Sequence, residues 1–271
     1  MERILGRCTP FFLKAREMRV PVRLGMLTPS SNTVLEPMTT RMLAEVSQAT
    51  AHFSRFKVTE IALSDQALGQ FDHAEILRAA ELLAQAKVDV IAWNGTSASW
   101  LGFDRDELLC ERIRSATGIP ACTSVLAFRE IFDRTGIRQI GLVSPYRDDV
   151  QAKIIANWGR FGYRCTAERH VGLQDNFSFA EVDESTISGL VREVAKEGCE
   201  AVAIVCTNMR GAAVTAALEA ELGLPIYDSV AITLWKSLLV TGVDPGLVKG
   251  WGRIFQSLRT QDTRNPPRPR P

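Results

Sequence analysis

The stretch "CEAVAIVCTNMRG", residues 199–211, reads as a buried strand that ends in a polar corner. After the apolar run and Cys206 come Thr, Asn and Gly, residue types common at strand-to-helix turns. A second stretch, "VDVIAWNGTSASW" at residues 88–100, has the same order of features. A short apolar strand, a polar corner and a helix make up the repeating unit of a parallel α/β sheet. We therefore predict an α/β protein that uses this unit in both halves.

The similarity between the halves extends to two further pairs of segments. "VRLGMLTPS" (22–30) corresponds to "RQIGLVSPY" (138–146), and "GIPACTSVLAFREIF" (118–132) corresponds to "GLPIYDSVAITLWKSLL" (223–239). The matching segments lie roughly 105 to 116 residues apart, far beyond the period of a solenoid repeat. We predict two similar Rossmann-like lobes with parallel sheets, related by pseudo-twofold symmetry, with the active site between them.

The repeat also suggests how the chain is divided. We predict an extension at 1–19, a first lobe made of 20–118 plus 225–256, a second lobe at 119–224, and a disordered tail at 257–271. The repeat offset motivates an exchange of C-terminal segments, so that 225–256 packs with the first lobe. The end of the chain is rich in Pro and Arg, a composition that is typical of an unpacked tail.

Composition restricts the kind of ligand. Of 271 residues, 46% are hydrophobic, and 32 Lys and Arg balance 31 Asp and Glu, so neither nucleic acid nor a membrane is an expected partner. No apolar run has the roughly 18 to 20 residues that span a bilayer, and no secretory signal is recognisable, so we predict a cytoplasmic protein. Six cysteines without CxxC spacing and three histidines predict neither a metal site nor a disulfide framework.

Four polar corners follow predicted strands at equivalent places in the two halves: 28–33, 94–99, 144–149 and 206–211. Ligands of open α/β sheets bind beyond the carboxyl ends of the strands, where helix N–H groups are unpaired. Any one corner taken alone is explained by helix capping. Four at symmetric places favour a shared cleft for a small carboxylic acid.

The corners resemble those of a known family. "PSSNTVLEP" (29–37), "NGTSAS", "SPY", "CTNMRG" and the closing "GWGRIF" (250–255) are similar, in this order, to the maleate isomerase and arylmalonate decarboxylase branch of the aspartate/glutamate racemase superfamily. The resemblance implies an enzyme without cofactor or metal. It also implies one cysteine at the equivalent corner of each lobe, facing the substrate carbon from opposite sides.

The sequence departs from that pattern at one corner, where Gly95 stands in place of the first-lobe cysteine. A racemase with two bases needs an acid and a base on opposite faces of one carbon, so glycine argues against racemisation. By resemblance, arylmalonate decarboxylase also has glycine here. We therefore expect a decarboxylase-like reaction through an enediolate, with Cys206 as the proton donor. The resemblance implies that Thr96, Ser97, Tyr146 and the backbone of Cys206 and Thr207 bind the substrate oxygens.

Three alternatives remain open at this stage. Asn32 and Asn208 match positions that hold a substrate carboxylate in the isomerase branch, which favours a maleate cis-trans isomerase. Relatives involved in ectoine utilisation are a further possibility within the superfamily. A non-catalytic protein that binds small acids between two lobes is the third, and a homo-oligomer is compatible with each of them.

Two expectations concern reactivity. Cys206 precedes a predicted helix, whose N-terminal N–H groups would lower the pKa of the thiol. Gly95 is expected to be vacant space opposite Cys206, so that Gly95→Cys would add a second acid and base. Four other cysteines are expected to be structural: Cys110, Cys122, Cys165 and Cys199. None of the three histidines has a partner at useful sequence spacing, so each of them, His170 included, is expected to be solvated or locally bonded.

Overall fold

Two separate parallel sheets form the framework of the computed structural model, which describes residues 20–64 and 73–257. The strands of the first sheet are β1 (Val22–Pro29), β2 (Ala49–Phe56), β3 (Val90–Trp93) and β4 (Ala121–Thr123). Those of the second sheet are β5 (Gln139–Ser144), β6 (Arg164–His170), β7 (Ala201–Ile204) and β8 (Ile226–Asp228). The spatial orders are β2-β1-β3-β4 and β6-β5-β7-β8, so the two sheets have the same topology.

Helices connect the strands in both halves. In the first half they are α1 (Leu35–Leu43), α2 (His73–Gln85), α3 (Ala98–Leu101), α4 (Phe103–Thr117) and α5 (Ser124–Thr135). In the second half they are α6 (Asp148–Arg160), α7 (Glu184–Ala195), α8 (Gly211–Leu222), α9 (Ser229–Val240) and α10 (Ile254–Ser257). Short 3₁₀ helices lie at Ser178–Glu181 and Pro245–Leu247.

The central strands are apolar because helices cover both faces of each sheet. All four residues of β3 and all four of β7 are buried. In the first sheet β1 pairs with β3 so that Leu27 faces Trp93, and in the second β5 pairs with β7 so that Val143 faces Ile204. The two halves therefore share register as well as strand order, which confirms the predicted two-lobed α/β fold.

Helix capping follows the same repeat. The Thr123 hydroxyl caps α5 by accepting the N–H of Leu126, and the Asp228 carboxylate caps α9 by accepting the N–H groups of Val230 and Ala231. Thr123 ends β4, and Asp228 ends β8 at the equivalent position. Both caps satisfy N–H groups that a helix cannot pair internally.

The sheets correct the predicted lobe boundaries. Residues 121–123 form β4 of the first sheet, and residues 226–228 form β8 of the second, so boundaries at 118/119 and 224/225 each fall one strand too early. The reason is that each of these short strands completes the sheet that precedes it. Helix α9 then crosses to the first half, where it contacts β3 and α1.

The predicted extension at 1–19 lies outside the described residues, as does the predicted tail except for Ser257, the last residue of α10. Within residues 20–64 and 73–257, every helix is too short or too polar to cross a membrane.

Candidate active site

Hydrogen bonds between the halves bring the four polar corners together. The Thr207 hydroxyl donates to the carbonyl oxygen of Asn94 at 3.0 Å and accepts from the Asn32 side chain at 3.1 Å. The hydroxyls of Thr96 and Tyr146 lie 2.6 Å apart. Each of these contacts joins residues far apart in the chain. The predicted corners therefore meet at one interlobe site.

Cys206 lies at this site, two residues beyond the end of β7. Its side chain is 2% exposed. The thiol sulfur accepts the N–H of Asn208 at 3.3 Å, and the Tyr146 hydroxyl lies beside it. The thiol is thus held between the backbone of its own corner and a side chain from the corner after β5.

The predicted lowering of the Cys206 pKa is wrong. Burial raises the pKa of the thiol to about 12, although the N–H groups of Asn208 and Met209 and the Tyr146 hydroxyl favour the thiolate. The negative charge of Asp228 raises the pKa further. Helix α8 begins at Gly211, five residues after Cys206, so its dipole acts at a distance. The thiol is consequently protonated at neutral pH.

Tyr146 joins the two lobes at the centre of the site. Its side chain is buried between the rings of Trp100 and Phe179, whose centroids lie 5.3 and 5.5 Å from that of Tyr146. Burial raises the pKa of Tyr146 well above its usual value. The hydroxyl therefore remains protonated, and it is within reach of both Thr96 and Cys206.

Asn32 and Asn208 are buried, and their side chains bind protein groups in this structure. Asn32 accepts the N–H groups of Val34 and Leu35 through Oδ1, and it donates to Thr207. Asn208 accepts the N–H groups of Thr33 and Val34 through Oδ1. Both amides therefore connect the corners to each other.

Unpaired backbone donors remain at the two central corners. Among the described residues, no protein acceptor pairs with the N–H groups of Thr96, Ser97 and Thr207. All three residues are buried. Buried N–H groups without partners are costly, and a bound anion would satisfy them. These donors are suited to carboxylate oxygens.

The expectation of vacant space at Gly95 is wrong. A Cβ atom on Gly95 would lie 1.9 Å from Cζ2, 2.3 Å from Cε2 and 2.4 Å from Cη2 of Trp93. Real Cβ atoms never approach other atoms this closely. The indole of Trp93 fills the volume that any side chain at position 95 would need. The single substitution Gly95→Cys therefore cannot be accommodated as predicted.

Sequence reasoning missed three residues of this region: Trp93, Asn176 and Asp228. Strand alternation could have pointed to Trp93, since residues two apart project on the same face. Asn176 lies in a loop without any recognisable motif, yet it donates to Ser31 and its carbonyl accepts from Asn208. Asp228 was identifiable as a helix cap, but its proximity to Cys206 depends on the fold.

Asp228 is a buried carboxylate at the end of β8. Burial raises the pKa of Asp228 to about 7. The N–H groups at the start of α9 favour the charged carboxylate, but their effect is smaller than that of burial. A Cβ atom on Gly211 would lie 2.6 Å from Oδ2 of Asp228, so only glycine fits at the first residue of α8. The charge of Asp228 therefore changes near neutral pH, next to the candidate proton donor.

The other cysteines and histidines of the described residues lie in other surroundings. Cys122 is buried near Ser237, and the Cys165 thiol donates to the carbonyl oxygen of Ala167. His170 agrees with the expectation of a locally bonded histidine, because Glu168 lies 2.8 Å from its Nδ1. The fold also brings Asp148 to 2.6 Å from its Nε2. Within the described part of the chain, no group of acidic, His and Cys side chains could hold a metal ion.

The fold and the site define a class: a two-lobed parallel α/β protein with one buried cysteine between its lobes. A family model described as arylmalonate decarboxylase matches residues 24–255. The chain belongs to this family, and it is an enzyme of the decarboxylase or isomerase type. Among curated relatives, it is 26% identical over 247 residues to a maleate isomerase of Pseudomonas putida, covering 86% of this chain and 96% of that protein.

A second relative represents the other activity of the family. The chain is 27% identical over 169 residues to an arylmalonate decarboxylase of Bordetella bronchiseptica, covering 61% of this chain and 70% of that protein. Among solved structures, a maleate isomerase from Pseudomonas putida superposes with a TM-score of 0.81 at 22% identity, covering 88% of this chain and 99% of the other. An arylmalonate decarboxylase superposes with a TM-score of 0.70 at 21% identity, covering 86% and 99%. These structures support the two-lobed fold.

Proposed function

We propose that this protein is a cofactor-independent decarboxylase of a malonate-type dicarboxylic acid, with Cys206 as the proton donor. The observation that carries the proposal is the asymmetry of the interlobe site. One corner holds a buried thiol at Cys206, and the equivalent corner holds Gly95, covered by a tryptophan ring. Such a site has an acid on one face of the substrate carbon only.

The reaction needs only one acid. The bond between the central carbon and one carboxylate breaks, carbon dioxide leaves, and the electron pair delocalises into the remaining carboxylate as an enediolate. The Cys206 S–H bond then breaks as its proton is transferred to the central carbon. Water returns a proton to the thiolate. The net change is a dicarboxylate and one proton converted to a monocarboxylate and carbon dioxide.

Donors near the thiol suit the charge that develops. The N–H groups of Thr96, Ser97 and Thr207 and the hydroxyl of Tyr146 are buried, where a hydrogen bond to an oxyanion is stronger than in water. Each donor of this kind typically lowers the barrier by about 3 to 4 kcal/mol. These groups would stabilise the two enediolate oxygens while the carbon awaits its proton.

The protonation state of Cys206 supports the same assignment. Its pKa, raised to about 12 by burial, keeps the thiol protonated in the resting enzyme. A carbanion is a strong enough base to take a proton from such a thiol. A nucleophilic or general-base role would instead require thiolate, which is scarce at neutral pH.

The second candidate is a maleate cis-trans isomerase. The observation in its favour is similarity over almost the entire length of a curated maleate isomerase. Asn32 and Asn208 are also buried at the site, where they could exchange protein partners for a substrate carboxylate. This reaction would have to proceed with one cysteine and with a thiol that resists ionisation.

Turnover of defined diacids separates the candidates. We would incubate the protein with a panel of mono- and disubstituted malonates and with maleate, measuring carbon dioxide release and fumarate formation. The proposal expects carbon dioxide from at least one malonate and no fumarate, with Cys206→Ser inactive. Fumarate from maleate would support the isomerase. Protection of Cys206 from alkylation by diacids, without turnover of any of them, would support a binding protein.

The division into lobes and the surroundings of the enzyme are also proposals. We infer a first lobe that includes β1 to β4 and helix α9, and a second lobe that includes β5 to β8. A small carboxylic acid is the proposed partner, and a cytoplasmic location is consistent with such a substrate. Size-exclusion chromatography with light scattering would test for a homo-oligomer.

A further inference from the structure

We infer that Trp93 is a specificity-determining residue: its indole occupies the face of the substrate opposite Cys206 and makes protonation one-sided. The inference rests on the proposed function, because it assigns the stereochemical course of that reaction. Its structural part, that Trp93 excludes any side chain at position 95, can be tested without activity.

Two equivalent positions in each lobe, the last strand residue and the residue two positions later, hold different side chains in the two lobes. Trp93 ends β3 and Ile204 ends β7, and each faces the equivalent residue of the neighbouring central strand. Two residues further on stand Gly95 and Cys206. Residues two apart in an extended chain project on the same face, so the first side chain determines the room left for the second. The second lobe combines isoleucine with cysteine, and the first combines tryptophan with glycine.

The indole cannot move aside easily. Trp93 is 1% exposed, and its ring packs against Phe56 with centroids 5.1 Å apart. The backbone that carries the ring is also held in place, because the Trp93 carbonyl oxygen accepts a hydrogen bond from Ser124, whose hydroxyl is bonded to Thr233 of α9. Shifting a rigid ring in a close-packed core costs packing energy. Position 95 is therefore closed to any residue with a Cβ atom.

Because the two sheets share one topology and Gly95 and Cys206 stand at equivalent positions, we place the indole on the side of the site opposite the thiol. The carbonyl of Asn94, which joins Trp93 to Gly95, accepts the hydroxyl of Thr207, the residue after Cys206. The three indole atoms that lie over Gly95 are carbons of the six-membered ring. These carbons neither donate nor accept protons, and they leave no room for water. The enediolate can therefore be protonated only from the side of Cys206, which gives a product of one handedness.

A double substitution can copy the second-lobe pair into the first lobe. Trp93→Ile with Gly95→Cys reproduces the arrangement of Ile204 and Cys206. We would compare this variant with both single variants and with Phe56→Leu, a control that loosens packing on the other side of the indole. Trp93→Leu replaces Trp93→Ile if the latter fails to fold.

Thermal unfolding tests the structural part without substrate. Gly95→Cys alone is expected to lower the melting temperature by roughly 3 to 10 °C because of overpacking. In the Trp93→Ile background, Gly95→Cys should lower the melting temperature much less. The new thiol should also react with a thiol reagent. If Gly95→Cys lowers the melting temperature equally in the wild type and in Trp93→Ile, Trp93 is not the residue that closes position 95.

Product handedness tests the functional part. The wild type and Phe56→Leu are expected to give one enantiomer from a prochiral malonate, whereas Trp93→Ile should give a mixture because water reaches the open face. A single enantiomer from Trp93→Ile would overturn the inference. If the wild type decarboxylates no malonate, the proposed function fails, while the unfolding experiment still decides whether Trp93 closes position 95.

Discussion

The hydroxyl of Tyr146 lies 2.6 Å from the hydroxyl of Thr96, so a side chain of the second sheet's corner and one of the first share a hydrogen bond beside Cys206. Both residues are buried, with exposures of 2% and 5%. This hydrogen bond joins the two lobes at the site. Preorganised donors of this kind stabilise developing charge without the cost of reorientation.

Cys206→Ser is expected to abolish nearly all turnover and to leave the melting temperature nearly unchanged. Serine has a similar size, but its hydroxyl is a much weaker acid than the thiol and would not protonate the enediolate. Steady-state kinetics and thermal unfolding provide the measurement. Cys165→Ser is the control and should retain activity, because the Cys165 thiol lies in β6 and donates to the nearby carbonyl oxygen of Ala167. Comparable activity in the Cys206 variant would remove this residue as the proton donor.

Tyr146→Phe is expected to lower kcat by about 10²- to 10³-fold, the usual effect of losing one oxyanion donor. The aromatic packing against Trp100 and Phe179 would be retained, so the melting temperature should change little. Tyr163→Phe is the matched control, because that partly buried hydroxyl bonds to Asp133 and belongs to no part of the site. An unchanged kcat in Tyr146→Phe would show that the hydroxyl does not act in the reaction.

Asp228→Asn is expected to speed alkylation of Cys206 above pH 7. Burial gives Asp228 a pKa of about 7, so above this pH its negative charge raises the pKa of the thiol. Asparagine removes the charge and still caps a helix well. Below pH 7 the wild type is also neutral at this position, and the two rates should converge. Each unit by which the thiol pKa falls increases the thiolate fraction about tenfold.

The control for that experiment is Asp106→Asn. Asp106 is also buried with a pKa raised to about 7, but its partners are Thr123 and Arg129. Alkylation would be followed at the Cys206 peptide by mass spectrometry, with Cys206→Ser as the blank. The role of Asp228 is refuted if both variants change the rate equally.

His170→Gln is expected to lower the melting temperature more at pH 6 than at pH 9. Burial opposes the charged imidazole, but hydrogen bonds and charge attraction from Glu168 and Asp148 outweigh it and raise the pKa of His170. Because the pKa of His170 is higher in the folded than in the unfolded state, its protonation stabilises the folded protein. The full contribution is present below the unfolded pKa, near 6.5, and it disappears as the pH rises through the pKa of the folded state. Because Asp148 is exposed, the effect should not exceed about 1 kcal/mol.

His52→Gln is the control, since His52 bonds only to Thr50 and lacks a carboxylate partner among the described residues. Unfolding of both variants would be followed at several pH values in the same buffer system. A loss of stability in His170→Gln that does not depend on pH would mean that packing, not the ionic pairs, makes the contribution.

The sequence alone was sufficient for the architecture. Short apolar runs, polar corners and the twofold repeat predict two parallel sheets, because strand and helix periodicity are local properties of the chain. The same repeat identified Cys206 and Tyr146 at strand ends, and the structure brings them into contact. The lobe boundaries failed by one strand each, since pairing of β4 and β8 depends on which sheet edge is available.

Tertiary structure alone determined the chemistry of the corner residues. The pKa of Cys206 rises because neighbours from several elements exclude water, and burial of this kind has no local sequence signal. The pairing of His170 likewise depends on Asp148, 22 positions away. Free space was expected at position 95 because glycine has no side chain. Only the fold reveals that the indole of Trp93 fills the space, because close packing leaves no room for both.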